Sequence, residues 1–77
     1  VYLTLDLDVL DPAHAPGTGT PEAGGATWRE LIACLYRLQG CRVVALDLNE
    51  VAPPLDPTGA TSAVAAKLVR ELLLLFG

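Results

Sequence analysis

The 77-residue sequence has no methionine, one histidine, one tryptophan and one phenylalanine, and only five Lys and Arg against nine Asp and Glu. Each scarcity excludes something. The five cations are scattered, with no basic run, and the formal net charge is -4. A protein that tracks nucleic-acid phosphates carries the opposite balance. The two cysteines, Cys34 and Cys41, are too few and too loosely spaced for a disulfide framework or a CxxC metal site. They are expected to be free thiols in a reducing, cytoplasmic compartment. No apolar stretch reaches the roughly 18 residues of a membrane span. The nearest, residues 68–76, is interrupted by Arg70 and Glu71. There is no internal repeat and no low-complexity tract.

Apolar residues are abundant, at 52% of the chain. A chain this short buries only about 60% of its unfolded surface. Part of the apolar surface is therefore expected to meet another surface. The chain also opens inside a strand-like run, without an initiator methionine. Residues 1–77 are expected to be the C-terminal part of one longer domain.

The organising stretch is residues 1–22, VYLTLDLDVLDPAHAPGTGTPE. An apolar run stops at Asp6-Leu7-Asp8 and a proline-punctuated loop follows. Short apolar runs bounded by turn residues predict buried strands, often parallel ones. The first strand is expected over residues 2–7. Side chains alternate along a strand, so Asp6 and Asp8 are expected on one face at its carboxyl end. Two such anions repel unless a metal ion, an arginine or a shared proton sits between them.

Residues 8–26 form a long loop, a feature that is usually functional. Thr27 and Glu30 then make a capping box. A helix follows with Leu31, Leu35 and Leu38 on one face, closed by Gly40. A second buried strand is expected over residues 42–48. A last helix runs over about residues 61–76, capped by Thr58 or Thr61, with Val64, Leu68, Leu72 and Leu75 as its apolar face. The order strand, helix, strand, helix predicts an α/β unit with parallel strands and a right-handed crossover. Two strands alone make a marginal sheet, so this β-α-β-α piece is expected to be incomplete by itself.

Several groups are candidates for chemistry. Asp6 and Asp8 offer the oxygen donors that suit a hard divalent cation; the bland alternative is a pair of solvent-facing aspartates. Asp47 and Glu50 stand at the end of the second strand, where a carboxylate can hold a guanidinium by a forked pair of hydrogen bonds or simply open a surface loop. The loop of residues 16–22 presents glycines and threonines, but no lysine follows and a phosphate cradle is not expected. His14 is a ligand or proton shuttle, or an exposed loop residue. Asp11 before Pro12 most simply makes an Asx turn, or supports Asp8. Trp28 is expected in the core or an interface.

Taken together, Leu5-Asp6-Leu7-Asp8-Val9-Leu10-Asp11-Pro12, the APGTGTPE loop ending at Glu22, Gly24-Gly25, Thr27 with Arg29-Glu30, and Asp47-Leu48-Asn49-Glu50-Val51-Ala52-Pro53 resemble the ureohydrolase family of arginase and agmatinase. The resemblance runs nearly the whole chain, and the loop wording is closer to agmatinase-type members. It implies a three-layer, parallel-sheet fold and two manganese ions, with Asp6 bridging both and Asp8 binding one. It implies that Glu50 pairs with the guanidinium of a small cationic substrate, that Thr20 lines the pocket, and that Asp47 supports the ligands. The expected reaction is agmatine to putrescine and urea, with guanidinobutyrate, arginine and formiminoglutamate as other substrates. Full-length members are commonly homo-oligomers. The family's histidine ligand, D-x-H-x-D motif and catalytic histidine have no counterpart here, and His14 does not replace them. The chain alone is therefore expected to be inactive.

Two rivals are weaker. The first strand end resembles that of haloacid dehalogenase-like phosphatases, but Val9-Leu10 stand where that motif has Gly-Thr. A non-catalytic truncated product or interaction module would explain the incomplete sheet, but not an intact set of Asp6, Asp8 and Glu50.

Overall fold

Alternation of apolar and polar residues decides how each sheet face is used. In the computed structural model, which describes residues 1–77, β1 (Tyr2–Asp6) and β2 (Ala45–Asn49) form a parallel two-stranded sheet. Their register pairs Tyr2 with Ala45, Leu3 with Leu46, Thr4 with Asp47, Leu5 with Leu48 and Asp6 with Asn49. Successive side chains point to opposite faces. Leu3, Leu5, Leu46 and Leu48 thus share the face that packs on the core. Tyr2, Thr4, Asp6, Asp47 and Asn49 share the other, which is polar and mostly exposed.

Helices α1 (Trp28–Tyr36) and α2 (Ala60–Phe76) supply the rest of the core. Leu31 and Leu35 come from α1, Ala65, Leu68 and Leu72 from α2, and Leu7, Leu10 and Ala15 from the segment after β1. Fully burying a leucine contributes about 1.5–3 kcal/mol. That burial, and not two strands' worth of ladder bonds, dominates the stability of this unit. The order β-α-β-α and the parallel pairing are as the sequence predicts.

Three boundaries and the course of the long loop differ from the sequence-based expectation, each for a physical reason. β1 ends at Asp6, because residues Leu7–Val9 wind into a 3-10 turn. Leu7 and Leu10 are three apart and eclipse in that geometry, so both enter the core. The long loop is closed at its base: Leu10 and Ala26 form a parallel bridge, with Asp11 N–H donating to Ala26 O at 2.8 Å and Ala26 N–H to Val9 O at 2.9 Å. β2 begins at Ala45, not residue 42, because its ladder starts opposite Tyr2. α1 ends at Tyr36, and residues 37–40 continue as tighter turns, such as Leu38 N–H to Leu35 O at 3.0 Å. Gly40 then reverses the chain at φ +94, a conformation open to glycine.

The capping box is present in both directions: Glu30 N–H donates to Thr27 Oγ1 at 3.1 Å and Thr27 N–H to Glu30 Oε1 at 3.0 Å. The start of α2 is built differently from expectation. Its N-cap is Gly59, and Thr61 lies inside the helix, fully buried. The free N–H groups go instead to side chains upstream: Ala60 donates to Thr58 Oγ1 at 3.2 Å and Thr61 to Asp56 Oδ2 at 2.8 Å.

Leu68→Ala is expected to destabilise the chain by about 2–5 kcal/mol, since its side chain is wholly buried. Leu74→Ala, at an exposed position of the same helix, is expected to change stability by less than about 0.5 kcal/mol. Urea unfolding of both variants checks the contrast.

Candidate functional site

The carboxyl ends of β1 and β2 lie side by side, because Asp6 and Asn49 are register partners. Asp6 is exposed at the tip of β1. Asp8 is half-buried, and the 3-10 turn places it, not strand alternation. That turn sends Leu7 and Leu10 inward and leaves Asp8 between them to reach the loop. Thr20 Oγ1 donates to Asp8 Oδ2 at 3.0 Å, folding the glycine- and threonine-rich loop back over the strand end. A cleft of about 220 Å³ is lined by Asp8, Glu22, Ala23, Gly24 and Gly25.

Asp11 holds this loop together. Its carboxylate accepts from Ala13 N–H and from Gly24 N–H, each at 2.9 Å. Those bonds, with that of Ala13 first, keep its pKa below the ordinary carboxylate value. Its link to Asp8 runs through Gly24, which lines the cleft. His14 sits on the adjacent turn, its N–H donating to Asp11 O at 2.8 Å.

Asp47 lies on the polar sheet face. Tyr2 OH, Thr4 Oγ1 (2.7 Å) and Asn49 Nδ2 all donate to its carboxylate. The Tyr2 hydroxyl does most to lower the Asp47 pKa, and the same bond raises that of Tyr2. Asn49 is the register partner of Asp6, so the tie from Asp47 to the strand end passes through that amide.

Glu50 follows β2 directly and is the one non-glycine residue with positive φ, at 70. Such a conformation costs a side-chain-bearing residue about 1–3 kcal/mol and concentrates at functional sites. The turn at Glu50 redirects the chain so that Ala52 N–H reaches Gly17 O at 2.7 Å. The loop after β1 and the loop after β2 are thereby joined.

Asp56, which the sequence motifs do not single out, anchors the same junction. It is 6% exposed. One oxygen accepts from Thr58 N–H (3.1 Å) and Thr58 Oγ1; the other accepts from Thr61 N–H (2.8 Å) and Thr61 Oγ1 (2.7 Å). These donors, the Thr58 hydroxyl foremost, lower its pKa to about 2. Gly17 N–H donates to Thr61 Oγ1 at 2.8 Å. A Cβ on Gly17 would stand 2.8 Å from Asp56 Cβ, so the close approach requires glycine. The signal available in the sequence was the spacing of Asp56, Thr58 and Thr61 around Gly59, a side-chain cap written over six residues.

Trp28 packs against the core with Lys67 Nζ 5.6 Å from its ring centre, away from these strand ends. Nowhere do three or more of His, Cys, Asp and Glu converge to hold a metal ion. Asp6 and Asp8 have the right donor type for a hard divalent cation, but such an ion takes about six oxygen donors. The pair fits in kind and falls short in number.

The sequence matches the Arginase family over residues 1–75. It is 51% identical to the agmatinase of Bacillus subtilis over 78 residues, which is 99% of this chain and 27% of that protein. It is 49% identical to the guanidinobutyrase of Pseudomonas aeruginosa over 73 residues, 95% of this chain and 23% of that protein. Among solved structures, proclavaminate amidino hydrolase from Streptomyces clavuligerus superposes with a TM-score of 0.92 at 45% identity, covering 99% of this chain and 25% of that one. The chain thus spans about a quarter of the length of the curated relatives it matches.

Two outcomes are expected. Glu50→Gly should leave stability unchanged or raise it by up to about 1 kcal/mol, because glycine relieves the left-handed strain. Thermal unfolding reads this out. The Asp56 carboxyl has a folded pKa of about 2 against an ordinary 3.8. Its stabilising contribution is therefore complete above about pH 4 and is lost as pH falls through about 2. Between pH 5 and pH 2 the urea midpoint of the wild-type chain should fall more steeply than that of Asp56→Asn.

Proposed function

Because the chain belongs to the arginase family, we propose that it is the C-terminal part of a manganese-dependent ureohydrolase acting on a small guanidino compound. The observation that carries this reading is Glu50: a strained acidic residue at the end of β2, beside the strand end that carries Asp6 and, through the following turn, Asp8. Carboxylates at neighbouring strand ends suit cations of both kinds, metal and guanidinium, and open parallel sheets place their ligand sites there.

In this reading Asp6 and Asp8 would hold the metals together with donors from outside residues 1–77. Activation of a water as nucleophile at neutral pH is the chemistry manganese supplies when bound. Glu50 would accept two N–H bonds from the guanidinium and hold the substrate in the pocket. Thr20 closes over the strand end, fixes Asp8 through its hydroxyl and narrows the pocket. Asp11 and Asp47 act at one remove. Asp11 ties the loop through Gly24, and Asp47 steadies Asn49 and Thr4 next to Asp6. The products are urea and the free amine.

Agmatine is the preferred substrate, giving putrescine, because agmatinases are prominent among the relatives. The near-equal likeness to a guanidinobutyrase keeps that acid, arginine and formiminoglutamate as the alternatives. We place the enzyme in the cytoplasm, where exposed thiols such as Cys34 and Cys41 stay reduced, and as a homo-oligomer. No helix is long and apolar enough to cross a membrane.

Urea release from agmatine with added manganese tests the reading. The complete enzyme should turn over, and its Glu50→Gln variant should lose about 100-fold in kcat/KM, as expected when the guanidinium loses the carboxylate that pairs with it. The isolated chain should show no turnover. A complete enzyme that releases no urea from any of the four compounds overturns the reading.

A further inference from the structure

We propose that Thr61, oriented by Asp56, is a positioning residue for substrate recognition: its hydroxyl sets the loop bearing Thr20 against the strand end bearing Glu50. The proposal rests on the ureohydrolase reading and adds to it two residues at the start of α2.

A threonine hydroxyl has one proton to give and lone pairs to accept with. The Thr61 proton goes to Asp56 Oδ2 at 2.7 Å, so a lone pair faces Gly17 N–H at 2.8 Å. The polarity cannot reverse, because an ionised carboxylate has nothing to donate. Gly17 O in turn accepts from Ala52 N–H at 2.7 Å. Asp56, Thr61, Gly17 and Ala52 thus form one continuous chain of hydrogen bonds. Gly17 stands three residues before Thr20, and Ala52 two residues after Glu50.

The chain is also dry and tight. Thr61 is wholly buried and Gly17 is buried. A Cβ on Gly17 would lie 2.9 Å from Thr61 Oγ1, which leaves no space for a water to substitute. Thr20 is held at its own end by Asp8. Both arms of the pocket are therefore referred to a side chain on a helix, a more rigid support than either loop.

Thr61→Val keeps the shape and removes the hydroxyl, leaving Gly17 N–H without a partner; Thr61→Ser keeps the hydroxyl. In the complete manganese-loaded enzyme, Thr61→Val is expected to raise KM for agmatine about tenfold or more, the scale of one buried donor left unpaired. Its kcat should stay within about threefold, because the strand-end carboxylates are untouched. Hydrogen exchange should quicken in residues 16–22 and 50–54. Thr61→Ser should restore both KM and exchange. A folded Thr61→Val enzyme with unchanged KM and unchanged exchange overturns the proposal. So does a Thr61→Ser enzyme that behaves like the valine variant, since packing and not the hydroxyl would then be at work. Should the valine variant not fold, Thr61→Ala removes the same hydroxyl with a smaller side chain, and an unchanged KM is equally fatal. A wild-type enzyme that releases no urea removes the ureohydrolase reading and this proposal with it, whereas unchanged KM and exchange in the Thr61→Val variant of an active enzyme remove the proposal alone.

Discussion

A carboxylate as buried as that of Asp56 is tolerated only when its lone pairs are filled, and here the N–H and hydroxyl groups of Thr58 and Thr61 fill them. Four separate features follow from that one requirement. The turn over residues 56–59 is shaped to present Thr58. The first N–H groups of α2 find acceptors at a helix start whose N-cap, Gly59, has no side chain to offer. The Thr61 hydroxyl acquires a fixed direction, and through it a loop 44 residues away in sequence is pinned. The loops after β1 and β2, joined by the bond from Ala52 to Gly17, are thereby referred to α2.

The core obeys a simpler rule. Leucines at alternate strand positions and at helical spacing meet in one cluster, and the polar residues between them are left on the opposite sheet face. That polar face is not idle surface. Tyr2, Thr4 and Asn49 converge on Asp47, so the charge nearest the middle of the sheet is compensated by neutral donors. Exposed Val44, Leu73 and Leu74, and a sheet of only two strands, accord with a chain that spans a quarter of its relatives. In a larger sheet these surfaces are the natural places for further layers.

The candidate site divides according to how its members are placed. Asp6 and Glu50 are placed by strand ends, and strand ends are visible in an apolar run that stops at charged residues. Asp8 was expected from the same alternation, but the 3-10 turn places it, because Leu7 and Leu10 both prefer the core to a continued strand. Thr20 reaches Asp8 across a loop whose course depends on the Leu10–Ala26 bridge and on Asp11 bonding to Gly24, and neither leaves a periodic trace. The left-handed backbone of Glu50 is likewise unwritten in its residue type; glutamate has no preference for it, and only the tie from Ala52 to Gly17 demands it.

The element order, the parallel pairing, the capping box at Thr27 and the leucine faces follow from the amino-acid sequence alone, because each rests on spacing within a few residues or on the two periodicities of strand and helix. The family follows from it too, since the strand-end and loop motifs stand in a fixed order. Tertiary structure alone decided where β1 stops, what caps α2, and why Gly17 must be glycine. Those outcomes turn on contacts between segments far apart in the chain: a buried carboxylate chooses its donors only when two loops and a helix arrive together, and spacing within any one of them carries no record of that meeting.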